Sequence, residues 1–234
     1  MASSKSIKSR YMIIECKNLS KSFIQGNEQI NIVNDLNFSV KNNDFISIVG
    51  ESGSGKTTFL NLMSGLERPS SGSVIFNGDD INNYDEYQLS NFRANKIGFI
   101  FQSHHLLSEF TILENLLIPL QLSKLKTNDF KERAIEVLDK VGLLEKIDAY
   151  PTSLSGGERQ RVSIARALIK KPKVIFADEP TGNLDMNNSK KILDLFYDLR
   201  DFFKLTLVLV THNISMTKNF SKCYEMESGK LKQL

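Results

Sequence analysis

The stretch from Ile46 to Leu60, ISIVGESGSGKTTFL, constrains this chain more than any other. Four apolar residues, Ile46 to Val49, read as a short buried strand. Gly50-Glu51-Ser52-Gly53-Ser54-Gly55-Lys56-Thr57 follows at once and opens a segment, from Thr58, with a helical pattern. Strand, glycine-rich loop and helix in that order form the context a phosphate-binding P-loop requires. Glycines let successive backbone N–H groups turn inward onto phosphate oxygens, and the helix behind them adds the positive end of its dipole. Lys56 is placed to reach the β and γ phosphates, and the Thr57 hydroxyl suits Mg2+. A glycine-rich surface turn with an incidental lysine is the competing reading, and it leaves the flanking strand and helix unexplained.

A chain of 234 residues can bury a sizeable core, so one α/β body carrying a subdomain is expected. Thirty Lys and Arg against 27 Asp and Glu leave a net charge of +3, and no run of like charge dominates a segment, so no nucleic-acid partner is expected. Cys16 and Cys223 are far apart and lack metal-ligand spacing, which suits two inert thiols in a reducing cytosol. The only apolar run near the start, Tyr11 to Ile14, is too short for a signal sequence, and no stretch approaches the roughly 18 apolar residues of a membrane span. A soluble protein that meets any membrane through a partner is the expectation.

Residues 1–10 are polar and read as a flexible segment. Strands of a partly exposed antiparallel sheet are expected at Tyr11 to Cys16 and Leu36 to Val40, with a turn at Gln25-Gly26-Asn27. Phe23 lies between them; an aromatic there more often joins the core, yet it is also placed where an adenine ring could stack. Thr58 to Leu66 reads as helix, Ser73 to Phe76 with Asn77-Gly78 as a hairpin, residues 86–95 as a polar helix and Lys96 to Phe101 as a second buried strand. From about 103 to 150 the strand signals stop. Leu113, Leu116, Leu117 and Leu120 mark one helical face, with Pro119 as a kink or break, and Phe130, Ala134, Val137, Leu138 and Val141 mark another. This reads as a helical insertion into one sheet. Buried strands return at Val174 to Ala177 and Leu205 to Val210, joined by a crossover helix, and the chain closes on a hairpin after Lys222.

Four apolar strands thus end at Gly50, Gln102, Asp178-Glu179 and His212. Ligands of open parallel sheets bind at the carboxyl ends of the strands, so these endings should meet in one crevice. Asp178 can cap a helix, but beside a P-loop its expected task is to hold Mg2+. Glu179 is then a second carboxylate, free to orient or deprotonate an attacking water. Gln102 can ligate the metal or sense a phosphate, and His212 can donate to the γ-phosphate; for both, a simple strand-end cap is the alternative. Ser155, Gly156 and Gly157 precede a helix with Val162, Ala165, Leu168 and Ile169 on its apolar face. They form either a plain N-cap or a second, lysine-free anion site. One complete and one partial phosphate site in one chain suggest nucleotide held between two copies arranged head to tail.

Gly50 to Thr57, Phe101-Gln102, Leu154-Ser-Gly-Gly-Glu-Arg-Gln-Arg161, Val174 to Pro180, Gly182-Asn-Leu-Asp185 and Thr211-His212 resemble, in order and spacing, the nucleotide-binding domain of ATP-binding-cassette transporters over residues 11–232. The resemblance implies a P-loop core with a mostly parallel sheet, an N-terminal antiparallel β subdomain and an inserted helical subdomain. It implies ATP and Mg2+ as cofactors. Phe23 would stack on adenine, where the family more often has Tyr. Thr57, Gln102 and Asp178 would surround the metal, Glu179 would be the catalytic base and His212 would contact the γ-phosphate. Ser155 to Gly157 would complete the site across a homodimer, and Asp185 would link the two sites. The segment after Gln102 would meet transmembrane permease subunits, which places the protein in the cytoplasm, peripheral on the inner face of the cell membrane. Gln102-Ser-His-His-Leu-Leu-Ser-Glu-Phe-Thr111, Glu114-Asn115 and Pro180 to Asp185 look most like lipoprotein-releasing and macrolide-export ATPase subunits. Ser108 stands where Pro is expected, Ser163 where Ala is usual and Asn213 where Asp is commoner. His104 and His105 are adjacent and do not share a face, so a partner contact outranks a metal there.

An ATPase driving a membrane complex is the leading expectation. A soluble ATP-binding-cassette protein acting on ribosomes or DNA is the alternative, and it would usually carry two cassettes or long coiled-coil insertions. An unrelated P-loop kinase or GTPase would lack the second anion motif.

Overall fold

A computed structural model of the chain describes residues 12–121, 130–217 and 219–234. The flexible segment expected over residues 1–10 lies outside these. Strands β1 (Met12–Gln25) and β2 (Glu28–Lys41) form a long antiparallel hairpin around Gly26, the expected turn. The strand β3 (Phe45–Val49) leads into the glycine-rich loop and helix α1 (Lys56–Met63), two residues earlier than the apolar pattern indicates at its start and three at its end. Then come β4 (Ser71–Phe76), β5 (Asp79–Asp80), α2 (Glu86–Lys96) and β6 (Ile97–Ile100). The α2 helix starts on a capping box, with Asp85 and Gln88 each bonding the other's backbone N–H.

Helices α3 (Ile112–Gln121) and α4 (Phe130–Lys140) follow where the insertion is expected. Pro119 does not break α3, which runs through it to Gln121. The start of α3 is fixed from outside: the Ile112 and Leu113 N–H groups donate to Ala149 O and Ile147 O at 2.9 and 3.0 Å. That contact pairs helix-end donors that have no intrahelical acceptor with a distant carbonyl. Helix α5 (Gly156–Leu168), β7 (Val174–Asp178), α6 (Met186–Phe203), β8 (Leu207–Thr211), β9 (Lys222–Glu227) and β10 (Lys230–Gln233) complete the order.

Two sheets result. One is antiparallel, in the order β2-β1-β4-β5; the other runs β10-β9-β3-β8-β7-β6, parallel except for its edge strand β10. Successive side chains of a strand point to opposite faces, and the core divides accordingly. Phe45, Ile175, Ala177, Leu207 and Leu209 pack with the apolar faces of α3, α4, α5 and α6. Ile46, Ile48, Phe176, Val208 and Val210 pack with Phe59, Leu60 and Met63 of α1 and with the antiparallel sheet. Burying a side chain of this kind contributes about 1.5–3 kcal/mol, so strands apolar on both faces have no stable place except inside this three-layer stack. Among the described residues no helix is long and apolar enough to cross a membrane.

Candidate active site

The parallel sheet fixes the site by register. Val49 pairs with Thr211 and Ala177 with Leu209, so the strand ends stand level and the loops after them open on one side. A crevice of about 460 Å³ lies there, lined by Phe23, Ile32, Ser52, Gly53, Gly55, Lys56, Thr57, Thr58, Gln102, Glu179 and His212. The four strand endings do converge.

Two glycines in the loop are required by geometry. A Cβ on Gly50 would stand 2.4 Å from Met226 O, and Gly55, at φ +102°, would place one 2.7 Å from Ile32 O. The Lys56 ammonium is buried and donates to Gly50 O at 2.8 Å and Glu51 O at 2.7 Å. Burial lowers its pKa, while Glu179 and Asp178 act in the opposite sense. The Thr57 hydroxyl donates to Asp178 Oδ1 at 3.1 Å. Burial raises the Asp178 pKa; the Thr57 hydrogen bond opposes this, the Glu179 charge adds to it, and Lys56 opposes it.

Glu179 occupies a left-handed backbone position, φ 45°, held by its N–H to Val210 O and by Gly182 N–H to its own carbonyl, both at 3.0 Å. A non-glycine residue in that region costs energy that the surroundings must offset, and such outliers gather at functional sites. Its Oε2 is buried without a hydrogen bond, 3.0 Å from His212 Nδ1, with which it forms an ion pair only when the imidazole is protonated. Gln102 is held by Asn183, whose Nδ2 donates to Gln102 O at 3.2 Å while Gln102 Nε2 reaches Asn183 Oδ1 at 3.5 Å.

Phe23 does not join the core. It is 43% exposed and lines the crevice, with the Lys21 ammonium 4.9 Å from its ring centre. Ile32, which sequence reasoning missed, lines the crevice opposite Gly55. No residue type or spacing marks it, because only the pairing of β2 brings it there. Glu51 and Ser54 line another face of the loop, beside Glu225 and Glu227.

The remaining predicted residues stand apart from the crevice. Ser155 caps α5 in a capping box: its Oγ accepts from Glu158 N at 3.3 Å, and Glu158 Oε2 accepts from Ser155 N at 2.9 Å. Asp185 caps α6, accepting from the Asn187 and Asn188 N–H groups at 3.0 Å; the Asn188 N–H first, and then the Asn188 side-chain amide, hold its carboxyl below the usual range. The two caps are neighbours, since Cβ atoms added to Gly156 and Gly157 would meet Leu184 and Asn188 at 3.3 and 3.4 Å. Within one chain neither cap lines the crevice at the glycine-rich loop.

The profile of the ABC transporter family matches residues 33–182. The chain belongs to the ABC transporter family. Two relatives of this ABC cassette are the lipoprotein-releasing system ATP-binding protein LolD of Buchnera aphidicola subsp. Schizaphis graminum and that of Wigglesworthia glossinidia brevipalpis. Each is 43% identical over 220 residues, 94% of this chain and 96% of the relative. Among solved structures, the ATP-binding cassette MJ0796, dimeric, in a post-hydrolysis state and bound to ADP and Pi, superposes with a TM-score of 0.84 at 35% identity, covering 94% of this chain and 98% of that one. The cbiO1 protein of Clostridium perfringens, part of an ABC transporter complex, gives 0.85 at 25% identity, covering 95% and 87%. Family and fold make this ABC transporter subunit an ATPase.

Proposed function

We propose that this chain is the ATP-hydrolysing subunit of a membrane complex of the lipoprotein-releasing type. The observation that carries the enzymatic part is the convergence of Lys56, Gln102, Glu179 and His212 on one crevice behind a P-loop. The likeness to LolD over 94% of the chain supports the lipoprotein-releasing assignment, and it favours this reading over a soluble protein acting on ribosomes or DNA.

In this reading Phe23 stacks on the base and the loop amides with Lys56 hold the phosphates. The Thr57 hydroxyl and the Asp178 carboxylate are hard oxygen donors 3.1 Å apart, and Gln102 offers an amide oxygen nearby. These suit Mg2+, which takes few protein ligands and completes its shell with phosphate oxygens and water. Bound there with ATP, the ion would neutralise phosphate charge. Glu179, whose buried oxygen has no donor, accepts the proton of the attacking water, and His212 donates to the γ-phosphate. Ser155, Gly156 and Gly157 of a second copy close the site with backbone donors at the start of α5, and Asp185 lies between the paired sites. The segment after Gln102 docks on the transmembrane subunits, which keeps the protein cytoplasmic and peripheral on the inner face of the membrane.

The test is to isolate tagged Glu179→Gln protein with ATP from detergent-solubilised membranes and identify what accompanies it. A membrane protein with few spans and a large extracytoplasmic domain is expected; ribosomes or DNA-repair proteins in its place would overturn the assignment.

A further inference from the structure

A second cavity, of about 530 Å³, opens at the amino ends of the parallel strands, opposite the nucleotide crevice, and is the larger of the two. It forms where α5 and α6 give way to β7 and β8. Pro172, Phe203 and Leu205 supply apolar wall, and Arg133, Lys171, Lys173 and Lys204 supply charge.

Four cations face a single lining carboxylate, Glu136, which is engaged by Arg133 at 2.6 Å. The surplus of three positive charges equals the formal net charge of the whole chain, +3. Among the described residues Lys171, Lys173 and Lys204 form no ion pair. Of the carboxylates near the cavity, Asp201 pairs with Arg200 at 2.9 Å and feels Lys204 only as a lesser, through-space charge, and Asp44, next to the lining residue Asn43, pairs with Lys222 at 2.5 Å. Arg133 is already engaged: its Nη1 donates to Glu136 Oε2 at 2.6 Å, its Nη2 to Leu168 O at 3.5 Å, and its guanidinium stands 5.1 Å from the Phe203 ring centre, while its Nε is buried without a partner. Phe202 lines the same cavity while 53% exposed; Phe203 packs edge-on to its ring at 4.8 Å and the Lys140 ammonium stands 4.4 Å from its centre, so a ligand ring would have to displace Lys140 or use the other side.

Lys171 and Lys204 stand at the C-terminal ends of α5 and α6, where the helix dipoles partly offset their charge, and an anion in the concavity would offset the repulsion that remains. Lysines gathered round a concavity bind phosphate as point charges. An extended polyanion such as a nucleic acid or a membrane calls for a broad basic face, whereas a concave site of this volume with an aromatic wall fits a small molecule. We propose that this cavity binds a phosphate-bearing organic anion of nucleotide size, with its phosphates on Lys171, Lys173 and Lys204 and its ring against Phe202. The ligand would sit at the starts of β7 and β8, the strands whose far ends carry Asp178, Glu179 and His212.

The test is equilibrium dialysis of the full chain against radiolabelled ATP in EDTA. The wild-type chain should take up two ATP per chain, and Lys171→Glu/Lys173→Glu should take up one while keeping wild-type ATPase activity in Mg2+. The count uses the P-loop reading, and Lys56→Ala separates the two: it should lose the crevice site and keep the one the charge reversal removes. Phe202→Ala should weaken ATP at the second site at least tenfold and leave tripolyphosphate binding there unchanged. One ATP per wild-type chain, or a second that survives charge reversal, would overturn the site. Equal loss of ATP and tripolyphosphate in Phe202→Ala would overturn the place given to the ring.

Discussion

Lys146 Nζ lies 2.5 Å from Glu158 Oε1, and through that contact the short turn at Leu144–Lys146 is tied to the first turn of α5. The other Glu158 oxygen already accepts from Ser155, so one carboxylate joins the helical region to the cap. The Lys146 contact, followed by the bond from the Ser155 backbone, lowers the Glu158 pKa from 4.5 to about 2. A depressed carboxylate stabilises the fold above its unfolded value and ceases to as pH falls toward its folded value. Glu158→Gln should therefore be less stable than wild type at pH 6, and the difference should shrink between pH 4.5 and about 2. With Lys146 half exposed, the Lys146 contact accounts for only about 0.2–1 kcal/mol. Urea midpoints measured across that range would decide it; a gap that persists at the acid end would contradict the assignment.

Glu179→Gln keeps the side chain's shape and removes the carboxylate proposed as the base. ATP should still bind and hold the two copies together, with turnover reduced by about 10²–10⁴. Phosphate release, together with gel filtration in ATP, reads both. Hydrolysis at the normal rate would mean that another group takes the proton.

Lys56→Ala removes the ammonium that donates to the loop carbonyls of Gly50 and Glu51. Losing a charged hydrogen-bond donor costs about 1.5–3 kcal/mol, so the dissociation constant for ATP should rise roughly ten- to a hundredfold. Calorimetric titration showing unchanged affinity would contradict the role given to the loop.

Gly55→Ala should damage the site without any change of charge. The new methyl would press on Ile32 O at 2.7 Å from a backbone at φ +102°, and such a strained residue costs about 1–3 kcal/mol. ATP affinity and melting temperature should both fall. A variant with wild-type values of each would show that the loop accommodates the methyl.

The sequence by itself determined the local elements that carry chemistry. A short apolar strand followed by glycines, lysine and threonine admits one arrangement, and the strand ends at Gln102, Asp178-Glu179 and His212 could be read from apolar runs that stop at polar residues. Periodicity also separated the helical insertion from the sheet. Tertiary structure decided what depends on pairing at long range. Register shifts between Cys16 and Lys21 interrupt the alternation along β1, which hid a 14-residue strand and made Phe23 look like core when it stands exposed at the crevice. Ile32 reaches the site because β2 pairs beside it. The left-handed Glu179 is imposed by bonds to Val210 and Gly182, since nothing in a glutamate favours it. The basic cavity gathers Arg133 of α4 with Lys171, Lys173 and Lys204, stretches far apart in the chain that meet only where α4 and the ends of α5 and α6 come together.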